Sequence, residues 1–166
     1  MGKGAKPEHL EQLKPGNEEG RPLLCLHGLN QQPNALKYLL NDLRELGLNP
    51  YLLHLPGHRL GESCSGLKPK TYQKAHSDAY NYLTDKYGKA PYFLGYSFGG
   101  LIGIRYFEKM PFKKMVLMAP ALQLRRYTFL LQPALPFISR VTSYSLGDSE
   151  YEKKYRFHRD GVPREV

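Results

Sequence analysis

Apolar positions in this chain form short runs that alternate with longer stretches of helical periodicity. Four runs are almost wholly apolar, as expected for strands that are covered on both faces. They lie at residues 22–26, 51–55, 91–94 and 114–118. The segments with helical spacing lie between them, at residues 33–46, 71–87 and 101–108. This strand–helix alternation predicts an α/β fold with a parallel sheet and helices on both of its faces.

The alternation stops after Pro120. Residues 123–139 are rich in leucine, proline and aromatic side chains, and prolines within an apolar run oppose a regular strand or helix. We therefore predict an N-terminal arm at 1–20, a core at 21–122 whose sheet is incomplete at its C-terminal end, and a cap-like or lid-like segment at 123–166. Within the arm, residues 8–14 fit either an edge strand or an extended segment.

One strand-to-helix junction carries a serine between two glycines. Gly95, Ser97 and Gly99 form the pattern Gly-x-Ser-x-Gly. A strand that turns into a helix within about two residues leaves no room for a Cβ at the flanking positions, which explains the glycines. The bend pushes Ser97 out at a helix N-terminus, where free N–H groups favour negative charge. We interpret this as a nucleophile elbow, and the alternative is a glycine-rich turn that carries a serine.

Composition and charge narrow the classes of partner. The chain has 166 residues, is 41% hydrophobic and carries a net charge of +9, from 24 Lys+Arg against 15 Asp+Glu. Its basic residues are scattered and belong to no nucleic-acid-binding motif, so we predict no nucleic-acid partner. The charge then serves general solubility, or alternatively favours peripheral contact with an anionic membrane surface.

Cysteines and hydropathy point to a reducing compartment. Cys25 lies within a predicted buried strand and Cys64 in a loop, and neither has neighbours with metal-ligand spacing. We therefore predict no disulfide framework, no metal and no cofactor. Residues 1–19 carry no apolar signal segment, and no apolar run approaches the roughly 20 residues of a membrane span. The prediction is a cytoplasmic protein.

Three motifs in this order resemble an α/β-hydrolase of the monoacylglycerol lipase, lysophospholipase and serine aminopeptidase-like branch. They are Leu26-His27-Gly28-Leu29, Leu55-Pro56-Gly57-His58, and the elbow from Gly95 to Gly100. The resemblance covers residues 21–120, and residues 146–166 more loosely as part of a cap.

The resemblance implies a serine hydrolase of carboxylic esters that works through an acyl-enzyme. Ser97 matches the nucleophile, and the backbone N–H groups of Leu29 and Phe98 match the two donors of the oxyanion hole. The substrate would be a small ester, and the apolar segment after Pro120 favours a lipid-like one. His54 stands where the family usually has an acidic residue.

The catalytic acid and base are not identifiable by position. In this fold the nucleophile, the acid and the histidine follow one another along the chain, and His158 is the only histidine after Ser97. Either Asp148 and His158 serve, or the acid and base lie beyond Val166 and the chain is the N-terminal portion of a longer hydrolase. A different hypothesis is a truncated or inactive hydrolase fold that acts as a binding or interaction module.

We predict no catalytic role for the four histidines nearest the predicted strands and helices. We expect the His27 ring to hydrogen-bond loop backbone, and His54 and His58 to be structural or to face solvent. His76 lies on a predicted helix, where we expect it at the surface.

Overall fold

A computed structural model describes residues 5–13, 19–29, 33–59, 62 and 67–120. These residues form five strands, which are β1 (Leu10–Gln12), β2 (Pro22–Leu26), β3 (Asn49–Leu53), β4 (Tyr92–Tyr96) and β5 (Lys114–Met118). The α-helices among them are α1 (Lys37–Glu45), α2 (Pro69–Tyr87) and α3 (Phe98–Arg105). Short 3-10 turns at Pro33–Leu36 and Phe107–Lys109 lie next to α1 and α3.

The strands form one mostly parallel sheet in the order β1-β3-β2-β4-β5. The pairs β3–β2, β2–β4 and β4–β5 are parallel, and β1 runs antiparallel along the outer edge of β3. The predicted α/β class is therefore confirmed. Because the central strands are parallel, the segments that follow β2, β3 and β4 all leave the sheet at the carboxyl ends of the strands. This is the side of the sheet at which α/β proteins bind their ligands.

Helices cover both faces of the sheet, and alternate strand residues point to opposite sides. Leu24 and Leu26 of β2 pack in the core on the side of α2 and α3. Leu23 and Cys25 pack in a second core together with Leu40 of α1. Two covered faces explain why the sequence of β2 is continuously apolar. Cys25 is fully buried, and burial raises the pKa of its thiol.

Proline and glycine set the limits of the longest helix. α2 begins at Pro69, two residues before the predicted start, because proline fits the first helical turn. It ends at Gly88, which adopts φ 62° and donates its N–H to the carbonyl oxygen of Thr84 at 2.8 Å. This left-handed C-terminal cap is the conformation that glycine adopts most easily.

Other element limits also differ from those predicted, and two of them have a clear physical reason. β3 begins at Asn49, two residues before the predicted start, because its pairing with β2 starts opposite Pro22 and Asn49 is itself anchored to Arg21 and Gly20. α3 ends at Arg105 instead of continuing to residue 108, since the chain tightens into the 3-10 turn. At their carboxyl ends, β3 stops at Leu53 and β4 continues to Tyr96, each two residues from the predicted limit.

The expectation for His76 was wrong. This side chain is fully buried, and its ring stacks on Phe112 at a centroid distance of 5.6 Å and lies 5.7 Å from Phe93. The physical reason is its position on the inner stripe of α2, four residues after Tyr72 and three before Ala79, both of which contribute to the core.

Some predicted features lie outside the described residues. These are the cap-like segment at 123–166, Cys64, Asp148 and His158. Within the described part of the chain, no helix has the length and hydropathy to cross a membrane.

Candidate active site

Ser97 occupies the sharp bend between β4 and α3. Its backbone has φ 50° and ψ −113°, a combination that residues with a side chain rarely adopt. Hydrogen bonds hold the bend on both sides, because the Ser97 N–H donates to the carbonyl oxygen of Met118 at 2.9 Å and the Ser97 carbonyl accepts the N–H of Leu101 at 3.2 Å. Strain of this kind persists only where the surrounding structure enforces it, and it clusters at functional sites.

The glycines beside Ser97 allow backbone segments to approach closely. A Cβ on Gly95 would stand 2.7 Å from the Cα of Gly100, and a Cβ on Gly99 would stand 2.5 Å from the carbonyl oxygen of Leu26. Real Cβ atoms do not approach other atoms this closely. The first turn of α3 is therefore pressed against the ends of both β2 and β4.

The segment that carries Leu29 leaves the sheet beside the elbow. Leu26, the last residue of β2, pairs with Gly95 of β4. Residues 27–29 therefore follow β2 at the same edge at which Ser97 follows β4. His27 and Gly28 are buried, whereas Leu29 is 48% exposed. The topology thus brings the two segments that carry the predicted oxyanion-hole donors, at Leu29 and at Phe98, to neighbouring positions at the carboxyl ends of the strands.

His27 hydrogen-bonds backbone through both ring nitrogens, as expected. Its Nδ1 lies 2.8 Å from the carbonyl oxygen of Gly28, and its Nε2 accepts the N–H of Leu55 at 3.0 Å. Burial, with a contribution from nearby His58, lowers the pKa of His27 to about 3. The ring is therefore neutral at pH 7.

His58 lies next to His27 and is also structural. It is 1% exposed, its ring centroid is 5.2 Å from that of His27, and its Nδ1 lies 3.0 Å from the carbonyl oxygen of Pro56. Burial lowers the pKa of His58, against the opposing effect of hydrogen bonds to the backbone of Pro56 and Leu29. A second buried imidazole thus connects the Leu29 segment with the segment after β3.

His54 joins the edge strand to the sheet. Its Nε2 lies 2.8 Å from Oε2 of Glu11 in β1, and Lys37 approaches the other carboxylate oxygen at 3.4 Å. Burial lowers the pKa of His54, so that the neutral ring donates to the carboxylate. Burial would raise the pKa of Glu11, but the hydrogen bond from His54 and the charge of Lys37 outweigh it and lower that pKa.

A base for Ser97 is not found among the described histidines. The hydrogen bonds of His27 and His54 go to partners other than Ser97, and the two nitrogens of the His76 ring have no hydrogen-bond partner among the described residues. Asp148 and His158, the candidate acid and base, lie outside the described residues. The described part of the site is therefore Ser97, the predicted nucleophile, and the loops around it.

Sequence analysis missed an apolar cavity beside Phe98. The space between the start of α2 and α3 measures about 370 Å³. The Phe98 ring borders it and meets the Tyr72 ring edge-on at 5.5 Å. Its other lining residues are Leu67, Pro69, Leu101, Ile102, Arg105 and Tyr106. The helical spacing of these residues indicated a buried face, but only the packing of the two helices leaves a space between them.

The parallel sheet, the strained serine after β4 and the loop after β2 together define an α/β-hydrolase fold. Residues 19–160 match the family model described as serine aminopeptidase, S33, and the chain belongs to this family of α/β-hydrolases. A search of curated protein sequences found no match.

Solved structures of hydrolases share the fold. A monoacylglycerol lipase from Paleococcus ferrophilus superposes with a TM-score of 0.62 at 24% identity, over 88% of this chain and 61% of the lipase. A structure described under the metagenome-derived lipolytic enzymes LipS and LipT superposes with a TM-score of 0.61 at 17% identity, over 76% of this chain and 52% of that structure's chain. The thioesterase domain of the curacin biosynthetic pathway gives 0.58 at 18% identity, over 83% and 56%. The chain thus spans between half and two thirds of the length of these relatives.

Proposed function

We propose that this chain supplies the nucleophile and the oxyanion donors of a serine hydrolase that cleaves carboxylic esters. The observation that carries the proposal is the backbone of Ser97, at φ 50° and ψ −113° between β4 and α3. A strained serine at the end of a parallel strand is the defining feature of a nucleophile elbow, and a turn without function would not need to retain the strain.

In the proposed reaction, Oγ of Ser97 attacks the ester carbonyl carbon and loses its proton to a base. The carbonyl oxygen becomes an oxyanion that the N–H groups of Leu29 and Phe98 stabilise, and one such donor contributes about 2.7–4 kcal/mol to lowering the barrier. The tetrahedral intermediate expels the alcohol, which takes the proton back, and leaves an acyl group on Ser97. Water then hydrolyses the acyl-enzyme by the same steps.

In this proposal the base is a histidine held by an acid, and this pair has two alternative locations. One is Asp148 with His158, and the other is a part of the hydrolase beyond Val166. A serine without such a base is a weak nucleophile at neutral pH. The location of the base therefore decides whether this chain is active by itself or only together with a C-terminal part as partner.

Lipid-like esters are the proposed substrates. The cavity beside Phe98 is lined almost entirely by apolar side chains, so it can receive a hydrocarbon chain close to the proposed oxyanion donor. Among the structural relatives are a monoacylglycerol lipase and lipolytic enzymes, which supports the same substrate class by analogy. We also propose that the protein acts on lysophospholipids, is located in the cytoplasm and makes peripheral contact with anionic membranes.

A fluorophosphonate probe tests the proposal, because it reacts with serines activated within an oxyanion hole. We expect labelling of the wild-type protein that is abolished in Ser97→Ala and retained in Ser77→Ala, a control serine on α2. Labelling of this chain alone would favour His158 as base, and labelling only of a polypeptide that extends beyond Val166 would favour the other location. Absence of labelling in both forms would contradict the proposal.

A binding or interaction module is the competing function. The observation that favours it is the engagement of the described histidines His27 and His54 with partners other than Ser97. If the extended polypeptide folds but neither labels nor hydrolyses short-chain esters, this second function replaces the first.

A further inference from the structure

The two nitrogens of His27 contact two different segments of the chain. Nδ1 bonds the carbonyl oxygen of Gly28 within its own loop, and Nε2 bonds the N–H of Leu55 in the segment that follows β3. The side chain is completely enclosed. His27 is therefore a direct polar connection between residues 27–29 and the segment after β3, and His58 in that segment makes another to the Leu29 backbone.

The partners determine which nitrogen carries the proton. A backbone N–H only donates, so Nε2 must be the unprotonated acceptor, and the proton of the neutral ring is on Nδ1, where it is donated to Gly28. A protonated ring would turn Nε2 into a donor facing the Leu55 donor. The low pKa of His27, near 3, keeps the bond to Leu55 intact at neutral pH.

We propose that His27 is a positioning residue that holds the backbone N–H of Leu29 in place as an oxyanion donor. The inference rests on the proposed function, because it assigns Leu29 that role. Leu29 lies two residues after His27, and its side chain is half exposed, so burial of that side chain alone does not hold the loop. The bond from His27 to Leu55 is therefore one of the restraints on this loop, together with the contact of His58 with the Leu29 backbone.

His58, which lies in the same segment as Leu55, adds to this restraint. Its ring lies against that of His27 and contacts backbone at Pro56 and Leu29. The two rings thus fill the space between the loop after β2 and the segment after β3. A donor that must not move during the reaction benefits from such preorganisation, since a misplacement of about 1 Å can cost about 100-fold in rate.

Two amide substitutions separate the two bonds of His27. In His27→Gln the side-chain oxygen reaches the position of Nε2 and can still accept the N–H of Leu55. In His27→Asn the shorter side chain retains only the donor near Gly28, and the Leu55 N–H loses its partner. His76→Asn is the matched control, because it makes the same chemical change at another fully buried histidine.

The decisive measurement is the order parameter of the Leu29 N–H from ¹⁵N relaxation of the complete chain. We expect a rigid value of about 0.85 in the wild type, in His27→Gln and in His76→Asn, and a value below about 0.6 in His27→Asn. An unchanged Leu29 order parameter in folded His27→Asn would overturn the proposal.

The protonation of the wild-type ring gives a second test that needs no variant. We expect ¹⁵N spectra at pH 7 to show a protonated Nδ1 and an unprotonated Nε2 for His27. A protonated Nε2 would overturn the proposal even if His27→Asn failed to fold.

The rate of fluorophosphonate labelling gives a third, separate test. Where the wild type labels with fluorophosphonate, we expect the labelling rate to fall at least about tenfold in His27→Asn and to recover in His27→Gln. If neither this chain nor the polypeptide extended beyond Val166 labels, the proposed function fails, while the order parameter and the ring protonation still decide the positioning role.

Discussion

Gly99 touches Leu26 so closely that a Cβ at position 99 would stand 2.5 Å from the Leu26 carbonyl oxygen. This contact joins the first turn of α3 to the end of β2. It involves backbone atoms of a central strand, which cannot move aside as a flexible side chain would. The approach of α3 to β2, and with it the direction in which Ser97 leaves the sheet, therefore depends on the absence of a side chain at position 99.

Gly99→Ala is accordingly expected to destabilise the protein by about 3 kcal/mol, the upper end of the usual cost of overpacking. Urea unfolding followed by circular dichroism measures the loss. The control is Gly88→Ala, where φ is 62° but nothing lies within 4 Å of the added Cβ. That control should lose only about 1 kcal/mol, the cost of a left-handed conformation. Equal losses for the two variants would contradict the close contact.

Ser97→Gly should be more stable than Ser97→Ala by about 1 kcal/mol, because glycine adopts a positive φ without the steric cost that a Cβ imposes. The comparison at Ser77 serves as the control. Ser77 lies within α2, where glycine is about 1 kcal/mol worse than alanine, so the order of the two variants should reverse. Urea unfolding of the four variants checks both orders, and the same order at both positions would argue against strain at Ser97.

His76 should make the free energy of unfolding depend on pH. Burial lowers the pKa of His76 to about 4, from an ordinary value of 6.5. Between these values the unfolded chain binds a proton that the folded chain does not, so this contribution to stability is fully present above pH 6.5 and is lost as pH falls toward 4. The loss is about 1.4 kcal/mol per pH unit.

His76→Phe removes this dependence and keeps the ring packing against Phe112. We expect the variant to gain about 2 kcal/mol relative to wild type on going from pH 7 to pH 5, measured by urea unfolding at each pH. The other histidines are present in both proteins and cancel in this difference. Parallel pH profiles for the two proteins would show that His76 is not held neutral, and His76→Leu provides the same comparison if phenylalanine does not fit.

Val116 should promote self-association of the chain. Among the described residues β5 pairs with β4 alone, and Val116 in its middle is 54% exposed. An exposed apolar edge strand is a template for pairing with another copy, and a lysine there opposes it. We expect Val116→Lys to raise the monomer fraction in sedimentation velocity, with Val116→Ile as the apolar control. A wild-type chain that is monomeric and melts in one sharp transition would contradict this expectation.

Features of the fold that depend on short-range pattern were accessible from sequence. The run at β2 could be assigned because two covered faces require apolar residues at successive positions. The position of the bend at Ser97 was accessible because a strand-to-helix turn needs glycine on both sides. The bond of His27 to loop backbone was expected in kind, but its partner Leu55 was not, because the two residues are 28 positions apart.

The amino-acid sequence by itself thus determined the parallel sheet and the place of Ser97 at the strand-to-helix bend, since both follow from local periodicity and from backbone sterics. Only the tertiary structure decided that His76 is buried, that His54 bonds Glu11 of the neighbouring edge strand β1, and that a cavity opens beside Phe98. Each of these results from the register and packing of elements distant in the chain. A side chain's neighbours across such distances are set by how helices and strands meet, which no single stretch of sequence encodes.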